Sequence, residues 1–312
     1  MKFLGALAAL AAIATLGACL PFDTGQDRSS AKSQLFMPPD GYDRLFSPLP
    51  HNFRPGQAKS GDPVRLGASS ERFELRDGDC GGSDCANPRA RTEIQVSKRE
   101  NPARIGEDIW YGWSFYNASI PSFTKENSLR LVFGQWTVSG AQRPIFRFIQ
   151  LGEGEGDFEN CDARFCPETV ASRGDLVVQL DGIAKAERWG DAQNNGYICR
   201  LFDMADQRGR WVDLTLNTNF SQGPDGYLRI WVNGDLACNY SGPVVNAASA
   251  NDGGQPRDRR GIFSSWDKRW RKATDNARKP ALIVYYDEFR TGRSKAKVDV
   301  RTRATKLAKR RN

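Results

Sequence analysis

The sequence predicts an all-β protein built as an antiparallel sandwich with few short helices. From about residue 65 to residue 291, short segments alternate apolar and polar residues with a period of two, and turn residues separate them. The chain is rich in residues that favour strands, with 17 Phe, 8 Tyr and 8 Trp. Long helical periodicity is absent, so a layered β architecture is the expected arrangement.

Eight segments have the clearest strand pattern. In chain order they are residues 91–96, 109–116, 129–137, 145–150, 176–180, 211–220, 227–233 and 282–290. The seventh lies between two turn signals, Asp225-Gly226 before it and Asn233-Gly234 at its end. Many short strands joined by such turns are typical of a sandwich.

The third segment predicts a binding surface. Strict alternation places Phe133, Gln135 and Thr137 on one face of the strand. A purely buried core would not combine these polar and aromatic side chains, whereas an extended sugar chain would contact both kinds. We therefore expect this face to line a concave groove for a polysaccharide.

Length and composition set further bounds. A chain of 312 residues, 39% hydrophobic and 26% charged, can bury a full core, which excludes a largely disordered protein. After the N-terminus no apolar run reaches about 18 residues, which excludes an internal transmembrane helix. The single histidine, His51, excludes a His-rich metal site. We expect neither a metal nor a cofactor.

The first 19 residues predict export. Lys2 gives a short basic start, an apolar stretch follows, and small residues precede Cys19. This pattern also fits an ordinary secretory signal, and a buried helix fits it poorly. The sequence LGAC at 16–19 resembles the bacterial lipobox, which implies a signal peptide over 1–18 and acyl chains on Cys19. Because Leu20 follows, the resemblance implies an outer-membrane lipoprotein, with residues 19–64 as a Pro-rich tether.

The cysteine count agrees with an oxidising compartment. Seven cysteines leave an even six once Cys19 carries lipid. Sequence alone cannot fix the pairing of six cysteines. The pairs we expect are Cys80–Cys85, Cys161–Cys166 and Cys199–Cys238. A zinc site formed by the two C-x4-C pairs is the alternative, and the predicted export argues against it.

The positive charge is concentrated at the C-terminus. The formal net charge is +8, and the nine Lys or Arg and one Asp of residues 293–312 account for all of it. Residues 292–312 therefore form a basic tail after the predicted domain. A solvated end is one interpretation, and an electrostatic contact to an anionic surface or polymer is the other. We do not expect nucleic acid as a partner.

Four groups of residues together resemble one enzyme family. They are RTEI at 91–94; WYGWSF at 110–115 leading to FGQW at 133–136; WVDL at 211–214 with DG at 225–226 and IWVNG at 230–234; and VYYDEFR at 284–290. Their order and spacing resemble the jelly-roll polysaccharide lyases of the heparin lyase I type and their alginate and glucuronan lyase relatives. The resemblance covers residues 65–291 and implies a β-jelly-roll, concanavalin-like sandwich.

The resemblance implies β-elimination on a uronic-acid polymer. In that reaction a carboxylate is neutralised, because its charge opposes carbanion formation at C5, while a base removes the C5 proton and an acid protonates the leaving oxygen. The R-x-E motif makes Arg91 a candidate neutraliser held by Glu93, although these two also fit a simple ion pair. The Q-x-H motif supplies Gln135 as a second neutraliser.

Two family positions are substituted in this chain. Thr137 stands where the Q-x-H motif has histidine. The K-x-G-x-Y motif aligns with residues 259–263, where Arg259 replaces lysine and Phe263 replaces tyrosine. A phenylalanine cannot donate a proton, and a threonine hydroxyl is too weak a base without help.

Other residues are therefore expected to move the proton. We expect Tyr286 to do so, with Tyr116, Tyr227, Tyr285 and His51 as the alternatives. The remaining substrate contacts are expected from side chains near the substituted motifs, namely Glu93, Thr137, Arg259, Arg260 and Trp266.

Two functions follow from these motifs. One is a lyase that binds an acidic polysaccharide and cleaves it by β-elimination. The other is a non-catalytic glycan-binding lipoprotein, which the missing His and Tyr favour. A glycoside hydrolase would need two spaced carboxylates, for which the strands show no cluster. The polymer's identity and the oligomeric state stay open.

Overall fold

The computed structural model describes residues 35–311, except 48, 88, 139–143, 153–173, 182–196, 247–253 and 266. Cys19, Cys161, Cys166 and Trp266 lie outside the described residues. The described part belongs to one compact unit, residues 34–312.

Strands dominate the described residues. They are β1 (Tyr42–Phe46), β2 (Phe53–Gln57), β3 (Ser69–Leu75), β4 (Ala90–Val96), β5 (Ile109–Asn117), β6 (Leu131–Thr137), β7 (Phe146–Gln150), β8 (Asp175–Leu180), β9 (Tyr197–Asp203), β10 (Trp211–Thr218), β11 (Tyr227–Val232), β12 (Asp235–Ser241), β13 (Arg257–Ser264) and β14 (Leu282–Gly292). The helices are short: α1 (Ser83–Ala86), α2 (Asp267–Ala273), α3 (Lys295–Val298) and α4 (Val300–Arg311), with a 3-10 turn at Ala58–Ser60.

The strands form two seven-stranded antiparallel sheets. Sheet A has the order β1-β4-β13-β6-β7-β8-β9, and sheet B has the order β12-β11-β10-β5-β14-β3-β2. Apolar side chains from both sheets meet between them; for example, the rings of Phe115 and Phe133 lie 5.4 Å apart. The predicted all-β sandwich with few short helices is confirmed.

The sheets begin before the predicted domain boundary. Strands β1 and β2 lie inside residues 19–64, the segment assigned to the tether, and each is the edge strand of its sheet. Pro55 sits within β2, a position that an edge strand tolerates because one side of it needs no hydrogen-bond donor. The high Pro content that suggested a tether is therefore compatible with sheet edges.

A bulge in β6 changes which side chains face outward. Val132 pairs with Ile149 of β7 and Gly134 pairs with Phe148, so β6 carries one extra residue between them. Phe133 consequently turns into the interior, where it is 2% exposed. The prediction that Phe133, Gln135 and Thr137 share one face is wrong, because strict alternation does not survive the bulge.

A second irregularity lies in β13, next to the bulge of β6. Gly261 has a φ of 131°, and a Cβ atom there would lie 2.1 Å from the carbonyl oxygen of Thr92. Only glycine fits this close approach of β13 to β4. Here β13 pairs with β4 without interruption, whereas its pairing with β6 shifts by one residue between Arg260 and Phe263.

Two of the three predicted disulfides are present. Cys80–Cys85 closes a short loop around α1, and Cys199–Cys238 joins β9 of sheet A to β12 of sheet B. Both confirm the expected pairs, and the third predicted pair lies outside the described residues.

The basic C-terminus folds as helices α3 and α4. Val298 and Val300 are buried at its start. In the described ranges, no helix combines the length and apolar character needed to cross a membrane.

Candidate functional site

The outward side of sheet A carries a row of polar side chains over three neighbouring strands. They are Arg91, Glu93 and Gln95 of β4, Arg259 of β13 and Gln135 of β6, and we call this set the polar face. Alternation along β4 directs these residues away from Ile94, which is in the core between the sheets. The polar face brings together four residues that the sequence predicted for the site, and it adds Gln95.

Glu93 and Gln135 are in direct contact. The Gln135 Nε2 atom donates a hydrogen bond to Glu93 Oε1 at 2.6 Å, although β13 lies between their strands. Glu93 is fully buried, and burial raises the pKa of its carboxyl group while Arg91 and Arg259 oppose that rise. The hydrogen bond to Glu93 holds Gln135 in place. Because no part of Glu93 reaches solvent, Glu93 cannot act as a base on a substrate.

Arg91 is hydrogen-bonded to the carboxylate of Asp84, in addition to lying near Glu93. Its Nε and Nη2 atoms donate to the two oxygens of Asp84, with Nη2 at 2.9 Å from Oδ1. Glu93 Oε2 lies 3.6 Å from Nη1, and the ring of Phe263 lies 5.0 Å from the guanidinium carbon. Two carboxylates therefore already balance the charge of Arg91.

Arg259 has a neutral partner instead. Its Nε donates to the amide oxygen of Gln95 at 2.6 Å, and it pairs in register with Gln135 on the other side. Burial lowers the pKa of Arg259, although the guanidinium remains charged at neutral pH. In the described part, no hydrogen bond uses its terminal nitrogens, so these remain available to an anion.

Two flanking arginines, like Arg91, have carboxylates as their hydrogen-bond partners. Arg257 donates to Asp43 at 2.7 Å, and Arg147 of β7 donates through two nitrogens to Asp181. Thr137 pairs in register with Arg257 and lies at the end of the polar face. Of these four arginines, Arg259 is therefore the one without a carboxylate as its hydrogen-bond partner.

Arg260 lies in the interior and not on the polar face. It is 3% exposed, donates through two nitrogens to Glu71 of sheet B at 2.6 Å, and stacks on the rings of Tyr42 and Phe289 at 4.1 and 4.2 Å. Alternation along β13 sends Arg259 outward and Arg260 inward. We therefore remove Arg260 from the predicted substrate contacts.

Tyr286 is also interior. Its hydroxyl donates to the carbonyl oxygens of Phe133 and Gly261, and burial raises its pKa well above the usual range. A phenol that is 2% exposed and bonded to the backbone behind the polar face has no path to a polymer. Tyr286 is thus not a proton carrier in this arrangement.

All eight tyrosines lie in the described part, and none is on the polar face. Tyr42, Tyr111 and Tyr286 face the interior. Tyr116 and Tyr285 are on the outer side of sheet B. Tyr197, Tyr227 and Tyr240 lie toward the β11–β12 end of the molecule.

His51 lies beside the Cys80–Cys85 loop, next to Asp79. Its Nε2 atom is 2.8 Å from Asp79 Oδ2, and its side chain is 20% exposed. The next residue, Asn52, accepts a hydrogen bond through its carbonyl from the Thr92 hydroxyl at 2.6 Å. Thr92 lies on the interior side of β4 with Ile94, so this contact does not belong to the polar face.

A disulfide connects the two carboxylates near the site. Asp79 precedes Cys80 and binds His51, while Asp84 precedes Cys85 and binds Arg91. The Cα atoms of the two cysteines are 5.1 Å apart. Sequence reasoning missed both aspartates, although an Asp directly before each cysteine of the short loop was a visible signal.

The described residues contain no group of three His, Cys, Asp or Glu side chains that could hold a metal ion.

Comparisons with known proteins agree with the fold. The sequence matches the polysaccharide lyase family over residues 48–290. A sequence search among curated proteins finds no match. Among solved structures, an endo-β-1,4-glucuronan lyase from the fungus Trichoderma reesei is similar at 15% identity, with 83% of this chain and 94% of that chain covered and a TM-score of 0.56.

Alginate lyases are also among the similar structures. The alginate lyase AlyC3 has 9% identity and a TM-score of 0.44, with 72% of this chain and 74% of that chain covered. An alginate lyase from Pseudomonas aeruginosa has 14% identity and a TM-score of 0.42, with 72% and 83% covered. The predicted jelly-roll fold is confirmed by the likeness to the fungal lyase.

Proposed function

The chain belongs to the polysaccharide lyase family, and we propose that it binds an acidic, uronic-acid polysaccharide on the polar face and cleaves it by β-elimination. One observation carries the proposal: Arg259 offers a guanidinium without a carboxylate partner directly beside the amide of Gln135. The heparin lyase I type, with Thr137 and Phe263 in place of the usual proton carriers, is part of the proposal.

Arg259 and Gln135 neutralise the substrate carboxylate. A guanidinium matches a carboxylate with two parallel hydrogen bonds, and the second N–H of the Gln135 amide adds a third donor. These bonds strengthen as charge moves from C5 into the carboxylate, which lowers the barrier to proton removal. Arg91 and Glu93 act indirectly. Glu93 holds Gln135 through a hydrogen bond, and Arg91 forms an ion pair with Glu93.

We assign the proton transfer to His51, because its partner Asp79 and the Arg91 partner Asp84 each precede a cysteine of the same disulfide. With Nε2–H donated to Asp79, the Nδ1 lone pair is available to take the C5 proton. The C5–H electron pair forms the C4=C5 double bond, the C4–O bond breaks, and its electron pair stays on the leaving oxygen. The imidazolium then returns the proton to that oxygen.

We also propose that the protein works in the cell envelope, anchored through Cys19. Two disulfides in the described part support an oxidising compartment, and the predicted signal peptide would direct export to it.

The test is formation of unsaturated uronide. The protein is mixed in turn with glucuronan, alginate, heparin and hyaluronan, and the ultraviolet absorbance of the double bond is followed. We expect a rise with at least one polymer, and we expect His51→Gln to slow it by about 10²–10⁴-fold. An unchanged rate in the variant, with an unchanged thermal midpoint, would remove His51 from the mechanism.

The absence of a tyrosine from the polar face favours a second candidate, a non-catalytic glycan-binding protein. Affinity electrophoresis in gels containing each polymer separates the two candidates. Retardation without any absorbance rise would support binding alone, and neither retardation nor absorbance would contradict both.

A further inference from the structure

The C-terminal helices are attached to the outer side of sheet B, the side opposite to the polar face. The Val298 backbone comes so close to Gly112 of β5 that a Cβ atom on Gly112 would be 2.1 Å from the Val298 carbonyl oxygen. Asp299 caps α4 by accepting from the Arg301 backbone N–H at 2.9 Å, and Arg303 pairs with Glu288 of β14. The helices are thus a fixed part of this surface.

The remaining cations of this segment point to solvent. Five of them are exposed and form no ion pair among the described residues: Lys297, Arg301, Lys306, Lys309 and Arg310. Lys306, Lys309 and Arg310 are three and four positions apart, which puts them on one side of α4. A helix of 12 residues extends this charge over about 18 Å.

An exposed apolar residue lies beside the cations. Leu236, at the start of β12, is 51% exposed, although most large apolar side chains of the described part are buried. It pairs in register with Trp231, which stacks on Trp110 at 5.3 Å, and Lys295 lies 4.3 Å over the Trp231 ring.

The β11–β12 hairpin also reaches α4. A Cβ atom on Gly234 would lie 2.1 Å from Arg301 Nη1, so the hairpin and the helix form one surface. We call Leu236, Trp231, Trp110 and the five exposed cations the basic patch.

We propose that the basic patch docks on an anionic lipid bilayer. Lys and Arg side chains are attracted by the negative surface of such a bilayer, and Trp and Leu side chains are stable at the level of its headgroups. An exposed leucine favours a bilayer over a soluble polyanion, which offers no apolar interior. Docking through sheet B would also leave the polar face of sheet A turned away from the membrane. The proposal does not depend on catalysis.

The experiment measures binding to vesicles. The full chain carrying Cys19→Ser, which removes the predicted acylation site, is sedimented with vesicles of phosphatidylcholine alone or with roughly a third phosphatidylglycerol. The variant K306E/K309E/R310E is compared with the control K59E/K98E/K125E, which makes the same charge change at three exposed lysines elsewhere. Circular dichroism and the thermal midpoint check that both variants fold.

We expect binding that requires phosphatidylglycerol and weakens with salt. The helix variant should bind at least tenfold more weakly, and the control should bind like the parent chain. Leu236→Ser should weaken the binding that persists at high salt severalfold.

Equal binding by the parent chain and the helix variant would overturn the proposal, as would an equal loss in both triple variants. Unchanged vesicle binding together with lost retardation in a polysaccharide gel would assign the patch to a polymer, and this would also overturn it. If K306E/K309E/R310E fails to fold, K306Q/K309Q/R310Q replaces it, with the same expected order of affinities.

Discussion

The partner of each guanidinium separates the arginines of the polar face. Arg91 is bonded to Asp84, whereas Arg259 is bonded to the neutral amide of Gln95. A paired arginine is already neutralised, and it would have to give up a strong bidentate contact before it could bind a ligand. This difference is the reason we propose Arg259 for the carboxylate contact and a supporting role for Arg91.

The Asp79–His51 contact predicts a positioning role for Asp79. Asp79→Asn should lower kcat at least about tenfold with little change in KM, because Asn can present its amide to Nε2 and stabilise the wrong tautomer. Initial rates over a range of polymer concentrations measure kcat and KM.

A suitable control is Asp62→Asn, which removes a carboxylate bonded to Arg54 at the sheet B edge. This variant should lose some stability and keep its kcat. If both variants reduced kcat equally, the special role of Asp79 would be contradicted.

At the scale of elements, the two disulfides have different expected effects. In a chain-entropy estimate, the short Cys80–Cys85 loop contributes about 2 kcal/mol to stability and the longer Cys199–Cys238 loop about 4 kcal/mol. Only the Cys80–Cys85 disulfide has next to its cysteines the aspartates that bind His51 and Arg91. Cys80→Ser/Cys85→Ser should therefore cost less stability and more activity than Cys199→Ser/Cys238→Ser. Urea unfolding measures the loss of stability in both double variants, and the absorbance assay measures their loss of activity.

Elements with regular alternation could be predicted from the sequence. Strands such as β5 and β10 place apolar side chains at every second residue, because one face of each meets the core. Strand β13 was missed, since its buried positions include Asp258 and Arg260, whose charges give no apolar alternation.

The site was only partly predictable for the same reason. Gln135 was placed correctly on an outward face, but the bulge that separates it from Phe133 leaves no mark in residue spacing. Tyr286 and Arg260 were predicted for the site from the family motifs that contain them, and a motif does not tell which face of its strand is interior. The contacts of Asp79 and Asp84 depend on a loop that reaches its partners only in the folded chain.

At the scale of the whole molecule, stability should depend on pH through Asp258. This carboxyl is fully buried, neither of its oxygens has a hydrogen-bond partner among the described residues, and burial raises its pKa to about 6, partly opposed by Arg260. The other charged or titratable groups that act on it are Arg257, Glu71, Tyr42 and Tyr111. A raised pKa means that protonated Asp258 stabilises the folded state, and this contribution is lost as pH rises from about 4 to above 6.

Asp258→Asn should remove the loss of stability that ionisation of Asp258 causes as pH rises. The variant should be more stable than the parent protein at pH 8, by up to about 3 kcal/mol, and nearly equal to it at pH 3. Urea unfolding at the two pH values measures the difference. A variant that is less stable at pH 8 would show that the ionised carboxylate stabilises the fold through Arg260.

In the proposed function, the polar face recognises a carboxylated sugar through Arg259 and Gln135. The most direct test of this recognition is the dissociation constant for a uronic-acid polymer and for the same polymer with its carboxyl groups reduced. Each is measured with the parent protein, with Arg259→Ala, and with Arg229→Ala as a control on sheet B. We predict at least tenfold tighter binding of the carboxylated polymer, a preference that Arg259→Ala abolishes and Arg229→Ala retains. Equal affinity for both polymers, or a preference that survives Arg259→Ala, would show that Arg259 does not recognise the carboxyl groups.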